Sequence, residues 1–257
     1  MATADQVIKT ERHGAIMHLM LNRPAKRNAL NDATIAALDA FFSDIPDDTR
    51  AVIVSGEGGH FSSGLDLSEQ VARQPLEVMA HSRNWHRVMD KIQFCGLPVI
   101  AAMTGAVMGG GLEFGAACHV RIAEETVRFQ MPEGLRGIFV GGGGSVRIAR
   151  LIGGDRMTEM MLTGRTYSGR DGESLGLVHY AVAEGKALEK AFKLAEKIAG
   201  NSRTINTLII QTISRIETMP PEAGFYAESL VAALSQTGPD AEEGLKAFLE
   251  KRPPQFR

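Results

Sequence analysis

The sequence predicts an α/β fold, and three observations carry that prediction. Short β-branched runs end in glycine-bearing turns, helical stretches separate those runs, and beyond Tyr180 only helical patterns remain. Alternation of strand and helix is the pattern of parallel βαβ units, because parallel neighbours need a crossover between them. From alternation alone, the arrangement is a doubly wound sheet. The chain has 257 residues, 44% of them hydrophobic and 23% charged, so a substantial core is within reach and disorder is excluded.

The first elements are the β-rich runs 7–9 and 15–21, which flank His13-Gly14 as the two arms of a hairpin. Asn31 or Asp32 caps a helix over 33–42, whose Ile35, Leu38 and Phe42 share one face at spacings of three and four. The run 51–54, ending at Gly56, reads as a buried parallel strand, and 99–103 as a second. Between them 78–94 is helical. After Tyr180 come helices over 187–199, 204–216, 222–234 and 241–250, with no strand between them. The chain therefore divides into a core, 1–199, and a helical segment, 200–257. Those last helices have little strand-bearing core to cover, so their apolar faces call for self-association.

Several classes of function are excluded. With 28 basic and 30 acidic residues the net charge is −2, so neither nucleic acid nor an anionic membrane is the expected partner. Cys95 and Cys118 are far apart and outside any CxxC, which removes a disulfide framework and a cysteine zinc site. Residues 1–10 lack a basic segment followed by an apolar one, so the expected location is cytoplasmic. The most apolar stretch, 97–112, holds Pro98, Thr104 and four glycines, too short and broken for a membrane span; it reads as buried core. His81 and His86 are five apart, off the spacing of a helical zinc pair, and no HExxH, GxGxxG, GxxxxGK[ST] or GxSxG occurs. No metal or nucleotide cofactor is expected.

The candidate chemistry lies in two glycine-bearing turns and two glutamates. The strand 99–103 runs through Gly109, Gly110 and Gly111 into a helix starting near Gly110, whose free N–H groups would face a developing oxyanion. The turn Gly59-His-Phe-Ser-Ser-Gly-Leu-Asp-Leu67 follows the first buried strand and offers a second donor at Leu65. Each turn, read alone, is first a tight connection or ordinary loop, with Asp66 as a helix cap; two such turns after two strands favour a site. Glu113 among Gly, Leu, Phe and Ala, and Glu133 after Gln130-Met-Pro, sit in apolar neighbourhoods that raise a carboxyl pKa toward the working range of an acid/base catalyst. A buried glutamate could instead satisfy backbone or an arginine such as Arg136, and local sequence leaves both readings open.

Five ordered blocks add a further reading. They are Leu21-Asn-Arg-Pro-Ala-Lys-Arg-Asn-Ala-Leu30, Phe61-Ser-Ser-Gly-Leu-Asp-Leu67, Pro98-Val-Ile-Ala-Ala-Met-Thr-Gly-Ala-Val-Met-Gly-Gly-Gly-Leu-Glu113, Phe129-Gln-Met-Pro-Glu-Gly-Leu-Arg-Gly137 and Phe248-Leu-Glu-Lys-Arg252. Through them the chain resembles the crotonase (enoyl-CoA hydratase/isomerase) family over nearly its whole length. The resemblance implies a spiral of ββα units in place of the doubly wound sheet, with a C-terminal helical segment that builds a homotrimer or homohexamer.

It also implies roles. The N–H groups of Leu65 and Gly110 would form an oxyanion hole for a thioester carbonyl, with Glu113 and Glu133 as the acid/base pair. Isomerases and several lyases of the family keep one of these carboxylates, so the presence of both favours hydration of a 2-enoyl-CoA. Arg23 and Lys26 would meet the CoA phosphates or adenine, with Phe248 and Lys251 completing the site; Ser63, Asp66 and Gly141 join the expected substrate-binding set. CoA belongs to the substrate, so no separate cofactor is implied. Two positions depart from the family pattern: Ser68 replaces a common lysine, and Val140 replaces the proline usual before Gly141. Met108, Met131 and Phe139 could line an acyl pocket, but read first as core filler.

Overall fold

Backbone pairing, rather than alternation, sets the architecture. In the computed structural model, which describes residues 7–69 and 72–256, β1 (Ile8–His13) and β2 (Ile16–Leu21) form an antiparallel hairpin. Residues 1–6, part of the segment read for a leader, lie outside the described residues. From β2 the large sheet continues in parallel through β3 (Ala51–Gly56), β4 (Val99–Met103), β6 (Val120–Glu124) and β8 (Tyr180–Val182), in the order β1-β2-β3-β4-β6-β8. β8 runs two residues past Tyr180, beyond which only helical patterns were expected; three residues are too few to show a period.

A second, smaller layer explains why the sheet is not doubly wound. β5 (Ala106–Met108) pairs in parallel with β7 (Arg128–Gln130), and bridges Leu30 to Leu65, Ser62 to Val107 and Phe129 to Tyr167 extend the row. Each pass of the chain leaves the large sheet, adds a short extended piece to this row and returns through a helix. After Leu30 comes α1 (Asp32–Ser43), after Leu65 α2 (Pro75–Gln93), and after β5 α3 (Gly110–Ala116). This is the spiral of ββα turns. The fourth pass is longer, through α4 (Gly144–Ile152), α5 (Gly154–Thr163) and α6 (Gly169–Leu175).

Local chemistry fixes the helix starts. Asn31 Oδ1 accepts from Thr34 N at 3.0 Å, which settles the cap of α1, and Ile35, Leu38 and Phe42 are buried as the spacing requires. α2 opens with a Gln74/Glu77 capping box and Pro75 in its first turn, and buries Trp85, Val88, Met89 and Ile92 on one stripe. The two helices are joined by Arg87, whose guanidinium bonds both carboxylate oxygens of Asp39 at 2.8 and 2.7 Å.

The large sheet is covered on both faces. Leu19, Leu21, Val52, Val54, Val99 and Ala101 join α1 and α2 in the main core, while Ile16, Ile53, Ile100 and Ile122 meet α7 (Ala187–Ala199). α7 presents Ala187, Ala191 and Ala195, four residues apart, so its backbone lies close on the sheet. Then come α8 (Arg203–Ile216), α9 (Pro221–Gln236) and α10 (Pro239–Leu249). Thr207 Oγ1 donates to Gly96 O at 2.8 Å and Gln211 Nε2 to Phe94 O at 2.7 Å, tethering α8 to the segment after α2. The apolar stretch 97–112 is largely buried, Cys95 and Cys118 are free thiols, and no helix among the described residues is long and apolar enough to cross a membrane.

Candidate active site

The two glycine-bearing turns meet edge to edge. Ser62 N donates to Ala106 O and Met108 N to Ser62 O, both at 3.0 Å, so the second turn is stitched to β5. Leu30 then accepts from Asp66 N at 2.8 Å and donates to Gly64 O at 2.7 Å. In a parallel bridge those two contacts flank Leu65, whose own N–H points to the opposite side. There it stands 3.4 Å from where a Cβ on Gly110 would be, while Gly110 N lies 3.2 Å from the Cβ position of Gly64. Neither the Leu65 nor the Gly110 N–H has an acceptor among the described residues. The turn before Gly110 depends on Gly109, with φ +47° and ψ −122°, a conformation that a side chain rarely tolerates.

Both glutamates converge on these donors. Glu113, one turn into α3, is 3% exposed, and its Oε1 accepts from Gly142 N at 2.9 Å and Gly144 N at 2.7 Å. Burial raises its pKa, outweighing those two N–H bonds and the positive charge of Arg147. Glu133 follows β7 and is 7% exposed. Gly109 N donates to Gln130 O at 2.9 Å, and a Cβ on Gly109 would stand 2.7 Å from Glu133 Oε1. Glu133 Oε2 is buried without a hydrogen-bond partner among the described residues. Burial, with the nearby Glu113 charge, pushes this carboxyl up to about 7, against the pull of its own backbone amide. The arrangement is a pair of N–H donors beside one carboxyl held as an acceptor and another poised to carry a proton near neutrality.

Residues that sequence reasoning missed hold this centre. Ser62 Oγ donates to Asn28 O at 2.8 Å and accepts from Gly64 N at 3.1 Å, fixing the turn that aims Leu65. The 141–144 loop is clasped to α2 at both ends: Ser82 Oγ donates to Gly141 O at 2.7 Å, and Arg147 Nε to Gln93 Oε1 at 2.8 Å, with an ion pair to Asp90. Trp85, the only tryptophan, packs its benzo edge between the loops, 3.0 Å from the Cβ position of Gly110 and 3.1 Å from that of Gly142. Only the helical stripe of α2 marked Trp85 in sequence; nothing local marked the others.

The remaining expected residues lie outside this pair of glutamates. Arg23 Nη2 donates to Asp66 Oδ2 and Glu69 Oε1, each at 2.8 Å, and Nη1 to Ala29 O. Lys26 Nζ reaches Asp66 Oδ2 at 3.2 Å and Ser68 Oγ, yet remains half-exposed. Burial alone would raise Asp66, but bonds from Ser68, Arg23 and Lys26 outweigh it and hold the carboxyl well below the usual range. Asp66 thus anchors the two cations beside the turn. Ser63 Oγ donates to Lys26 O at 3.2 Å in the same cluster, and Gly141 lies in the loop that holds Glu113. Phe248 is 78% exposed on α10, and no hydrogen bond or ion pair among the described residues links it or Lys251 to Glu113 or Glu133. Met131 is core, Val140 packs against that core and Phe139 is exposed. Neither glutamate belongs to a group of metal-ligating spacing among the described residues.

The chain matches the family model described as "Enoyl-CoA hydratase/isomerase" over residues 11–257. It is 31% identical to the 2,3-dehydroadipyl-CoA hydratase of Escherichia coli, covering 96% of each chain, and 30% identical to the enoyl-CoA hydratase EchA19 of Mycobacterium tuberculosis, covering 96% of this chain and 95% of that one. Among solved structures, the enoyl-CoA hydratase from Bacillus anthracis superposes with TM-score 0.92 at 32% identity, over 98% of this chain and 99% of that one, and a protein from Rhodopseudomonas palustris CGA009 superposes with TM-score 0.94 at 47% identity, over 98% of both chains.

Proposed function

This chain belongs to the enoyl-CoA hydratase/isomerase family, and from that premise we propose that it is an enoyl-CoA hydratase, adding water across the 2,3-double bond of a 2-enoyl-CoA thioester. The observation that carries the reading is the pair of buried carboxyl groups, Glu113 and Glu133, beside the open N–H groups of Leu65 and Gly110. The thioester oxygen takes those two N–H groups, and negative charge reaching it in the enolate is stabilised there; one such donor is worth about 3–4 kcal/mol.

Glu113, its Oε1 held by two backbone N–H groups, accepts a proton from water as the water oxygen bonds to the β-carbon. Glu133, protonated at a pKa of about 7, delivers a proton to the α-carbon as the enolate collapses. The proton gained by Glu113 returns to Glu133 before the next turnover, so atoms and charge balance without an oxidant or a metal. Burial of both groups supplies the low-dielectric setting in which such transfers and the oxyanion contacts strengthen. The half-exposed Lys26 beside Asp66 is the cation offered to CoA from this edge, with Arg23 held in place by its carboxylates.

Incubation with crotonyl-CoA in ¹⁸O-labelled water tests the reading. Loss of enoyl absorbance should accompany a 3-hydroxyacyl product carrying the label at the β-carbon. An unlabelled product with a shifted double bond, from that thioester or a longer one, would identify an isomerase instead.

A further inference from the structure

Away from this centre, the edge hairpin gathers two imidazoles and a carboxylate on one face. Antiparallel pairing sets Glu11 directly opposite His18 and His13 opposite Ile16, and side chains two apart on a strand share a face. That face is the one covered by α7, where Ile16 is core. Glu11 and His13 are exposed while His18 is 3% exposed. Phe192 of α7 meets both imidazoles edge-on, with ring centroids 4.9 Å from His13 and 5.6 Å from His18. His18 Nε2 lies 2.8 Å from Ser55 Oγ on β3, and His13 Nε2 lies 3.4 Å from Glu11 Oε2. One ligand atom from each of the three lies within 4.8 Å of the others.

We infer that Glu11, His13 and His18 form a binding site for a zinc-class divalent cation, separate from the acid/base centre. Two imidazole nitrogens and a carboxylate oxygen are a donor set that Zn²⁺ takes, with water completing a tetrahedral shell. Hard cations such as Ca²⁺ and Mg²⁺ ask for a shell of oxygens that a single carboxylate does not provide. Ser55 Oγ, 2.8 Å from Nε2 of His18, offers the orienting hydrogen bond that ligating histidines use, and in this site Nδ1 would be the ligating nitrogen. The Phe192 ring restricts both imidazoles, so little side-chain freedom is lost on binding. A cation held here ties the exposed edge strand to β2 and stabilises the folded chain by mass action.

The test is calorimetric titration of the full-length protein, first freed of metal with a chelator, with ZnSO₄, paired with thermal unfolding. The expected result is one Zn²⁺ per chain and a melting temperature that rises with Zn²⁺. Glu11→Gln and His13→Ala change exposed side chains and should each weaken binding by about 10-fold or more, leaving crotonyl-CoA turnover unchanged. Co²⁺ in place of Zn²⁺ should give visible absorption bands that both variants lose. No binding tighter than millimolar would overturn the inference. So would an affinity equal in wild type and both variants, which would place the ion elsewhere, for instance at His81 and Asp32.

Discussion

At the scale of single residues, the two glutamates are similar in burial but differ in what holds them. Glu113 has two N–H donors on one oxygen; Glu133 has an oxygen with none among the described residues. Glu113→Gln and Glu133→Gln should each lower kcat by about 10²-fold or more, and the double variant should lose far less than the product, since groups acting on one water work as a unit. Stopped-flow measurement of enoyl absorbance checks this, and full activity in either single variant would remove that residue from the chemistry. Glu133 also links folding to pH. Its folded pKa of about 7 lies above the ordinary 4.5, so its contribution is fully present below the ordinary value and lost as pH rises through about 7. The stability lost across that window is up to about 3 kcal/mol. Urea denaturation should therefore show Glu133→Gln gaining stability relative to wild type between pH 4.5 and pH 8.

At the scale of elements, the site depends on how a strand turns into a helix. Gly109 holds the turn between β5 and α3 at positive φ, and a methyl group there would meet Glu133 Oε1 at 2.7 Å. Gly109→Ala should cost about 1–3 kcal/mol of stability and lower kcat by more than about 10-fold, because strain and displacement of Glu133 act together. Comparing denaturation midpoints with kcat separates the two effects; a stability loss with unchanged kcat would show that Glu133 does not need this turn. Long helices were legible because their periods repeat, and the buried strand because it is a continuous apolar run. The helix expected over 78–94 is Pro75–Gln93, and the strand over 99–103 is Val99–Met103. The three-residue strands β5, β7 and β8 were not, since their existence depends on hydrogen bonds to distant partners.

At the scale of the molecule, α8, α9 and α10 are sparsely buried. Ile213, Phe225, Tyr226, Leu234 and Leu245 are all more than 60% exposed. Apolar side chains collected on a helical segment point to a covering partner, and a second copy of the chain is the proposed one. Sedimentation at micromolar concentration should show a trimer or hexamer, and Ile213→Glu with Phe225→Glu should shift it to smaller species. A sharp wild-type monomer would rule this out. Phe248 and Lys251 lie on or just beyond α10, so assembly is also the route by which they would complete a neighbouring site.

The sequence by itself determined the α/β class, the long helices and the residue types of the centre, because periodicity, caps and the glycine–glutamate blocks are local properties. The spiral and the grouping of Leu65, Gly110, Glu113 and Glu133 were implied by the resemblance, whereas the residues read alone left a doubly wound sheet. Only the tertiary structure shows the second row of short strands and the contacts that bring the two N–H groups and the two carboxyls to one place. It also decided that Asp66 and Arg23 spend their charge on each other, and that Ser62, Ser82, Trp85 and Arg147 are the supports. The physical reason is the same in each case. A carboxyl's pKa and a donor's freedom are set by burial and by partners that lie tens of residues away along the chain.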